Sequence, residues 1–259
     1  MRLRQGEPRI ACSRVQEGSR RRDPGWSVGV RNRPGRPEQS ATVARGRTPV
    51  RDASRPLVVG IAGQTCAGKS TFATALQAAL GGPERCSIVH QDDYFSDFSE
   101  FPESERATVM SHNHPRSVRW ELLRADIDAL RSGLAIELPA PGTRAAASGE
   151  RRSLVSARIL IVEGHLIFAD DATRDRLDVK LYIDVDPVER VLRRIERTAT
   201  RGGDVGAAIE WFRHDVLPNV EFAARGRDHA DLIIPFATEN SPAVRFIAAG
   251  IEQLAGTRG

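Results

Sequence analysis

The sequence predicts an α/β fold, a mostly parallel β-sheet sandwiched by helices, and three observations predict it. From residue 56 onward, short runs rich in β-branched residues alternate with amphipathic helical segments, the pattern of strands joined by crossover helices. A glycine-rich stretch, Gly63 to Ser70, separates the first such run from the first helical segment. Carboxylates stand where two later strands end, at Asp92-Asp93 and at Glu163, bordering the crevice that an open parallel sheet offers to its ligands.

The elements follow in order. Residues 1–55 hold 14 arginines against 5 acids, a net +9, and are rich in Gly, Pro, Arg and Ser without apolar periodicity. Such a segment cannot offset its ordering entropy by burial, so it is expected to be a disordered basic extension. It has no apolar core of the roughly 7–15 residues a signal peptide needs. The rest of the 259-residue chain, 56–259, carries 24 bases and 29 acids, a net −5, which does not suggest a nucleic-acid-binding domain; contact with nucleic acid is expected only through the basic tail. Strands are expected at 57–62 (LVVGIA), 86–90 (CSIVH), 158–163 (RILIVE), 179–185 (VKLYIDV) and 231–235 (DLIIP). After Ser117, the residues Trp120, Leu123, Ile127 and Leu130 recur at helical spacing, a core-facing stripe. Asp186-Pro187-Val188-Glu189 supplies an N-cap, a first-turn proline and a capping-box glutamate, and Ser241-Pro242 opens the last helix in the same way. The Ala/Gly/Arg stretch 139–153 reads as a loop. Cys12, Cys66 and Cys86 have no metal-ligand spacing and no apolar run approaches the ~18 residues that span a membrane, so a cytoplasmic protein is expected.

The glycine-rich stretch carries the first chemistry. Gly63-Gln64-Thr65-Cys66-Ala67-Gly68-Lys69-Ser70, followed by Thr71, matches G-x-x-x-x-G-K-[ST] between a strand and a helix, so a P-loop NTPase-like sheet is expected. Its glycines let backbone N–H groups face the phosphates of ATP, and Lys69, one of only two lysines in the chain, reaches the β and γ phosphates. The Ser70 hydroxyl would go to Mg²⁺, and Glu163, at the end of a buried strand, would sit in the Walker B position next to the same crevice. At the end of the second strand, Asp92 or Asp93 could accept the proton of an acceptor hydroxyl beside the metal. Arg193, Arg197 and Arg201, spaced by four, share a face of an arginine-bearing helix that could close as a lid over the transferring phosphoryl group. Neither lysine follows an asparagine, so the Asn-Lys-x-Asp motif of guanine-reading GTPases is absent.

Taken together, GIAGQTCAGKST, VHQDDYF, NHPRSVRWELLRADIDAL, ILIVEGHLIF, RDRLDVKLYIDVD, RRIERTATRGGD and ADLIIPFATENSP resemble the uridine and cytidine kinases and their relatives, over roughly residues 57–255. The resemblance implies that Asp92 is the general base, that Ser70, Asp92 and Glu163 gather around Mg²⁺, and that Arg193 and Arg197 belong to the lid over the ATP phosphates.

The departures from that family fall on the acceptor side. Where uridine kinases carry an Asp after His-Pro, this chain has Arg116; their Pro-x-Tyr-Asp-Phe plus His segment is replaced by Leu138-Pro-Ala-Pro-Gly-Thr-Arg144. Trp211 stands where they have a glutamine, and His165 replaces an apolar residue after Glu-Gly. Tyr94, Arg116, His165 and Trp211 are the candidate acceptor-binding residues. The expectation is an ATP- and Mg²⁺-dependent kinase acting on a small nucleoside-like or sugar-like hydroxyl acceptor, with uridine or cytidine first, and an oligomer is compatible with it. The alternatives are a kinase of nicotinamide riboside, a phosphosugar or pantothenate, or a non-catalytic nucleotide-binding protein whose basic tail engages a partner.

Overall fold

The computed structural model describes residues 55–99, 101–102, 111–235 and 241–257. The basic extension expected over residues 1–55 therefore lies outside the described residues, apart from Arg55. In chain order the elements are β1 (Leu57–Ala62), α1 (Lys69–Ala79), β2 (Cys86–His90), α2 (Trp120–Arg131), β3 (Ile136–Leu138), β4 (Arg152–Leu154), β5 (Ile159–Glu163), α3 (Asp171–Arg174), β6 (Val179–Asp184), α4 (Pro187–Thr200), α5 (Val205–Trp211), α6 (Val220–Ala224), β7 (Leu232–Pro235) and α7 (Ser241–Gly256).

Five strands form one sheet in the order β2-β5-β1-β6-β7, and every neighbouring pair is parallel. β1 runs down the middle with all six residues buried, as an unbroken apolar run in a sheet covered on both faces should. Its residues alternate between two cores: Val58 faces the cluster with Leu123, Ile127, Leu130 and Phe168, whereas Leu57, Val59 and Ile61 face the cluster with Phe72, Leu76, Ile247 and Ile251. The stripe expected on α2 thus packs one face of the sheet, with Trp120 at its edge, while α1 and α7 cover the other. Truncating Ile127, which is fully buried, to alanine would cost about 2–5 kcal/mol.

The start of α4 follows the expected chemistry in its cap and proline, while the expected capping-box residue Glu189 accepts from Arg193. Asp186 accepts from the backbone N–H groups of Val188 and Glu189, with Pro187 in the first turn of α4, and Asp170 and Asp204 cap α3 and α5 in the same manner.

Residues 139–153 are not simply a loop. β3 and β4 pair antiparallel, Ile136 opposite Leu154, and a 3₁₀ turn spans Arg144–Ser148 between them. Strands of three residues are too short for period-2 alternation to be read, although Ile136 and Leu138 are buried around an exposed Glu137. The connection is tied down at Ser96–Thr143, an isolated antiparallel bridge, and by the Arg144 N–H donating to the Phe95 carbonyl at 2.8 Å. The chain therefore brings residue 144 back beside the segment that leaves β2.

Candidate functional site

The parallel register puts the three strand ends that matter side by side. Glu163 at the end of β5 lies opposite Ile61 of β1 and His90 of β2. The loop after β1 turns at Gly63, where a Cβ would stand 2.6 Å from the Ile183 carbonyl oxygen, so a side chain is excluded by backbone. It closes at Gly68, left-handed at φ 89°, directly before α1. Lys69 folds back over this loop and its Nζ donates to the Gln64 carbonyl at 3.1 Å. Burial pushes the Lys69 ammonium below its usual range, against the opposing charges of Glu163 and Asp92.

Ser70 Oγ donates to Glu163 Oε1 at 2.9 Å, and His90 Nδ1 meets the same oxygen at 2.7 Å. Burial alone would push the Glu163 carboxyl up, but the His90 hydrogen bond and the Lys69 charge outweigh it and the group lies below its usual range. The Glu163 hydrogen bond raises the His90 imidazole in turn.

A 3₁₀ turn, Gln91–Tyr94, leaves β2 and sends three neighbours three ways. Asp92 opens onto the cavity at the end of the sheet, and burial first, Glu163 second, push its carboxyl above the usual range. Asp93 points elsewhere, in an ion pair with Arg152. The two candidate bases are thereby separated by placement. Tyr94 does not reach the cavity: the same turn swings it into the core, where it is fully buried and its hydroxyl donates to Asp126 Oδ2 at 3.0 Å. Gln91 is also buried; its Oε1 accepts from the Leu166 N–H at 2.9 Å, and its side chain fills the space that a Cβ on Gly164 would need.

The cavity is about 400 Å³. Thr65, Cys66, Gly68, Lys69, Ser70 and Thr71 form one wall, and Asp92, Glu163 and Gly164 its floor. Gly63, Gln64 and Ala67 shape the loop from behind; Gln64 instead faces a water-sized gap beside Arg190, whose buried guanidinium has its Nε and one Nη without a partner among the described residues.

Two arginines of α4 roof this wall. Arg197 Nη2 lies 3.5 Å from Cys66 Sγ, and Arg194 stacks over the Trp211 ring at 4.3 Å, its Nε buried without a partner among the described residues. Arg193, expected in the lid, does not line the cavity: its Nε donates to Glu189 one turn back at 2.8 Å, on the flank of the helix, while Arg194 and Arg197, three apart, turn toward the loop. Arg201 ends the helix as its exposed C-cap.

The opposite wall is built from separate segments: Phe95, His112, Asn113, Arg144, His165 and Trp211. His165 Nε2 donates to the His112 carbonyl at 2.9 Å; the acceptor has no proton to give, so Nε2 carries the hydrogen and Nδ1 keeps its lone pair. Burial and then the Lys69 charge push the His165 imidazole down to about 3, so it is neutral at working pH. Asn113 is fixed by a 2.6 Å hydrogen bond from its Nδ2 to Asp215, in a π-helical turn, Phe212–Val216, that continues α5. Burial and then Arg144 hold the His112 imidazole below its usual range, and its Nε2 is buried with no partner among the described residues. Arg116 is not part of this wall. It sits exposed on a 3₁₀ turn, Pro115–Ser117, whose Ser117 is buried and whose Pro115 carbonyl is held by Trp120 Nε1 at 2.8 Å, which leaves residue 116 facing away.

Of the expected acceptor residues, then, His165 and Trp211 reach the cavity, whereas Tyr94 and Arg116 do not. Phe95, His112, Asn113, Arg144 and Arg194 were not singled out; Phe95, His112, Asn113 and Arg194 lie in or beside VHQDDYF, NHPR and the lid helix, and Arg144 closes the 138–144 segment that departs from the family.

Among the described residues no group of three or more His, Cys, Asp and Glu is placed to hold a metal by itself. The Ser70 hydroxyl with the Asp92 and Glu163 carboxylates is an all-oxygen set on one floor, which suits Mg²⁺, a hard ion that keeps waters and shares phosphate oxygens. The loop wall, with Lys69 folded over it, suits a polyphosphate. No helix among the described residues is long and apolar enough to cross a membrane.

Comparison with known proteins gives three findings. The model of the phosphoribulokinase / uridine kinase family matches residues 58–242. The chain is 35% identical over 197 residues to a uridine kinase of Halobacterium salinarum, covering 75% of this chain and 86% of that one, and 32% identical over 200 residues to a uridine kinase of Deinococcus deserti, covering 76% and 96%. Among solved structures, a proposed fructose transport system kinase from Silicibacter sp. TM1040 superposes with a TM-score of 0.57 at 22% identity, covering 71% of this chain and 91% of that one, a likeness of fold.

Proposed function

The chain belongs to the phosphoribulokinase / uridine kinase family, a phosphotransferase with an alcohol group as acceptor, and we propose that it transfers the γ-phosphoryl group of ATP, with Mg²⁺, to a hydroxyl of a small nucleoside-like or sugar-like acceptor. The observation that carries this is the convergence of Lys69, Ser70, Asp92 and Glu163 on one cavity floor and wall at the carboxyl ends of β1, β2 and β5. Lys69 and the loop N–H groups hold the β and γ phosphates, and Arg194 and Arg197 face the charge that spreads over the transferring group. Ser70, Asp92 and Glu163 would hold Mg²⁺, which would supply charge neutralisation at the phosphate oxygens when bound. Asp92, with its carboxyl above the usual carboxylate range, accepts the proton of the attacking hydroxyl as its oxygen bonds to the γ-phosphorus and the bond from that phosphorus to the β–γ bridging oxygen breaks, releasing ADP. Free thiols at Cys66 and Cys86 support a reducing, cytoplasmic setting.

Uridine is the first acceptor to try, because the relatives are named for it. The test is ADP release by the purified full chain with MgATP, with and without uridine, cytidine, nicotinamide riboside, sugar phosphates and pantothenate. Acceptor-dependent ADP formation, abolished in a folded Lys69→Ala protein, is the expected result. Nucleotide binding with no acceptor-dependent release would leave a nucleotide-binding protein in place of a kinase.

A further inference from the structure

The wall opposite the phosphate loop holds a cation that the transfer chemistry above does not use. Arg144 lines the cavity, on the connection between β3 and β4, and its position is built in. Its N–H donates to the Phe95 carbonyl at 2.8 Å, Thr143 before it bridges to Ser96, and its guanidinium lies over the Phe95 ring at 5.7 Å. Other arginines of this side close on acids: Arg119 on Glu121, Arg124 on Asp170, Arg152 on Asp93 and Arg176 on Asp128. Arg144 has no such partner among the described residues. Beside it is a second unanswered group, the buried Nε2 of His112.

The place of Arg144 relative to the chemistry decides which ligand it serves. Arg197 is attached to the loop through Cys66, so this cation goes with the donor phosphates, while Arg194 stacks on Trp211 between the two walls. Arg144 is attached to Phe95, three residues beyond Asp92 and in no contact with the loop among the bonds and ring contacts it makes. The charge of Arg144 is felt at both Asp92 and His112, which fits a guanidinium turned toward the acceptor end. A guanidinium presents a planar fork of donors that matches a carboxylate or phosphate and has no counterpart in a neutral ribose.

Building on the kinase function proposed above, we infer that the acceptor carries an anionic oxygen group, a phosphate or a carboxylate, and that Arg144 is the residue that selects it. His165, whose Nε2 is engaged with the His112 carbonyl, would then offer its Nδ1 to a hydroxyl of the same molecule.

The test is kcat/KM at saturating ATP for matched pairs, ribose against ribose 5-phosphate and glycerol against glycerate, with uridine as the neutral nucleoside, in the full-length wild type, Arg144→Ala and Arg144→Lys. The anionic member of a pair should be preferred, and which pair responds separates phosphate from carboxylate. Arg144→Ala should lower kcat/KM for that compound about 10- to 100-fold, mainly through KM, as loss of a charged hydrogen bond does. Arg144→Lys should recover part of it, and the KM for ATP should not move. Preference for uridine or another neutral compound, or an Arg144→Ala loss equal for neutral and anionic acceptors, would overturn the assignment of Arg144 and leave the kinase standing. No ADP release with any compound would overturn the kinase itself, and this inference with it.

Discussion

The two walls of the cavity are made in opposite ways. The donor wall is one contiguous stretch, Thr65 to Thr71, locked mostly by its own backbone, with Gly68 at the start of α1 and Lys69 onto the Gln64 carbonyl, and packed at Gly63 against Ile183 of β6. The acceptor wall takes Phe95, His112, Asn113, Arg144, His165 and Trp211 from five separate segments, held together by long-range contacts such as Asn113 to Asp215 and His165 to the His112 carbonyl. The donor wall is therefore specified mostly by neighbouring residues, whereas the acceptor wall depends on contacts between segments far apart in sequence.

That contrast is sharpest at the two aspartates after β2. Asp92→Asn should lower turnover by about 10²- to 10⁴-fold, the usual worth of a general base, with much less change in nucleotide affinity. Asp93→Asn removes only the contact to Arg152 and should leave turnover within a small factor of wild type. Steady-state kinetics on both variants decide it, and a reversed order would put the catalytic carboxylate on the wrong residue.

The lid gives the next largest effect. Arg194→Ala and Arg197→Ala should each cost about 10²-fold in kcat, since a preorganised donor facing developing charge is worth roughly that much. Arg193→Ala should change kcat little and stability by at most about 1 kcal/mol, as for a partly exposed ion pair. Equal losses at 193 and 194 would mean that α4 rotates when nucleotide binds.

The smallest effect lies outside the cavity and shows what stability without chemistry looks like. Asp170 caps α3 through the Thr173 N–H and hydroxyl at 2.8 and 2.7 Å and accepts two bonds from Arg124. Burial pushes its carboxyl up, but these bonds outweigh it and the folded-state pKa is lowered. A depressed carboxylate contributes stability that is present above its unfolded pKa and lost as pH falls through the folded one. Asp170→Ala should cost about 1–3 kcal/mol at neutral pH, less in acid, with kcat unchanged. Denaturant melts at two pH values test this, and a fall in kcat would tie α3 to the site.

How much of this was legible in the sequence follows the same division. The five strands of the main sheet and the glycine-rich loop could be read directly, because each is specified by residues next to one another. The β3–β4 hairpin could not, with three residues per strand and its packing supplied by Phe95 and Ser96 far away in sequence. Arg116 drew attention as a charge reversal but faces away; Arg144, hidden in a stretch that read as loop, is the cation that reaches the cavity. Helical spacing by four singled out Arg193, yet side-chain direction and the pull of Glu189 turned it aside in favour of Arg194.

Gly164 gives the site a gauge. Because the Gln91 side chain occupies the space where residue 164 would carry its Cβ, and its Oε1 holds the Leu166 N–H, the ends of β2 and β5 are spaced by a fitted block and not by whatever lies between them. The separation of Asp92 from Glu163 is then a dimension of the scaffold. A lineage that keeps Gln91 and Gly164 can trade one acceptor for another and still inherit its two carboxylates already in calibration.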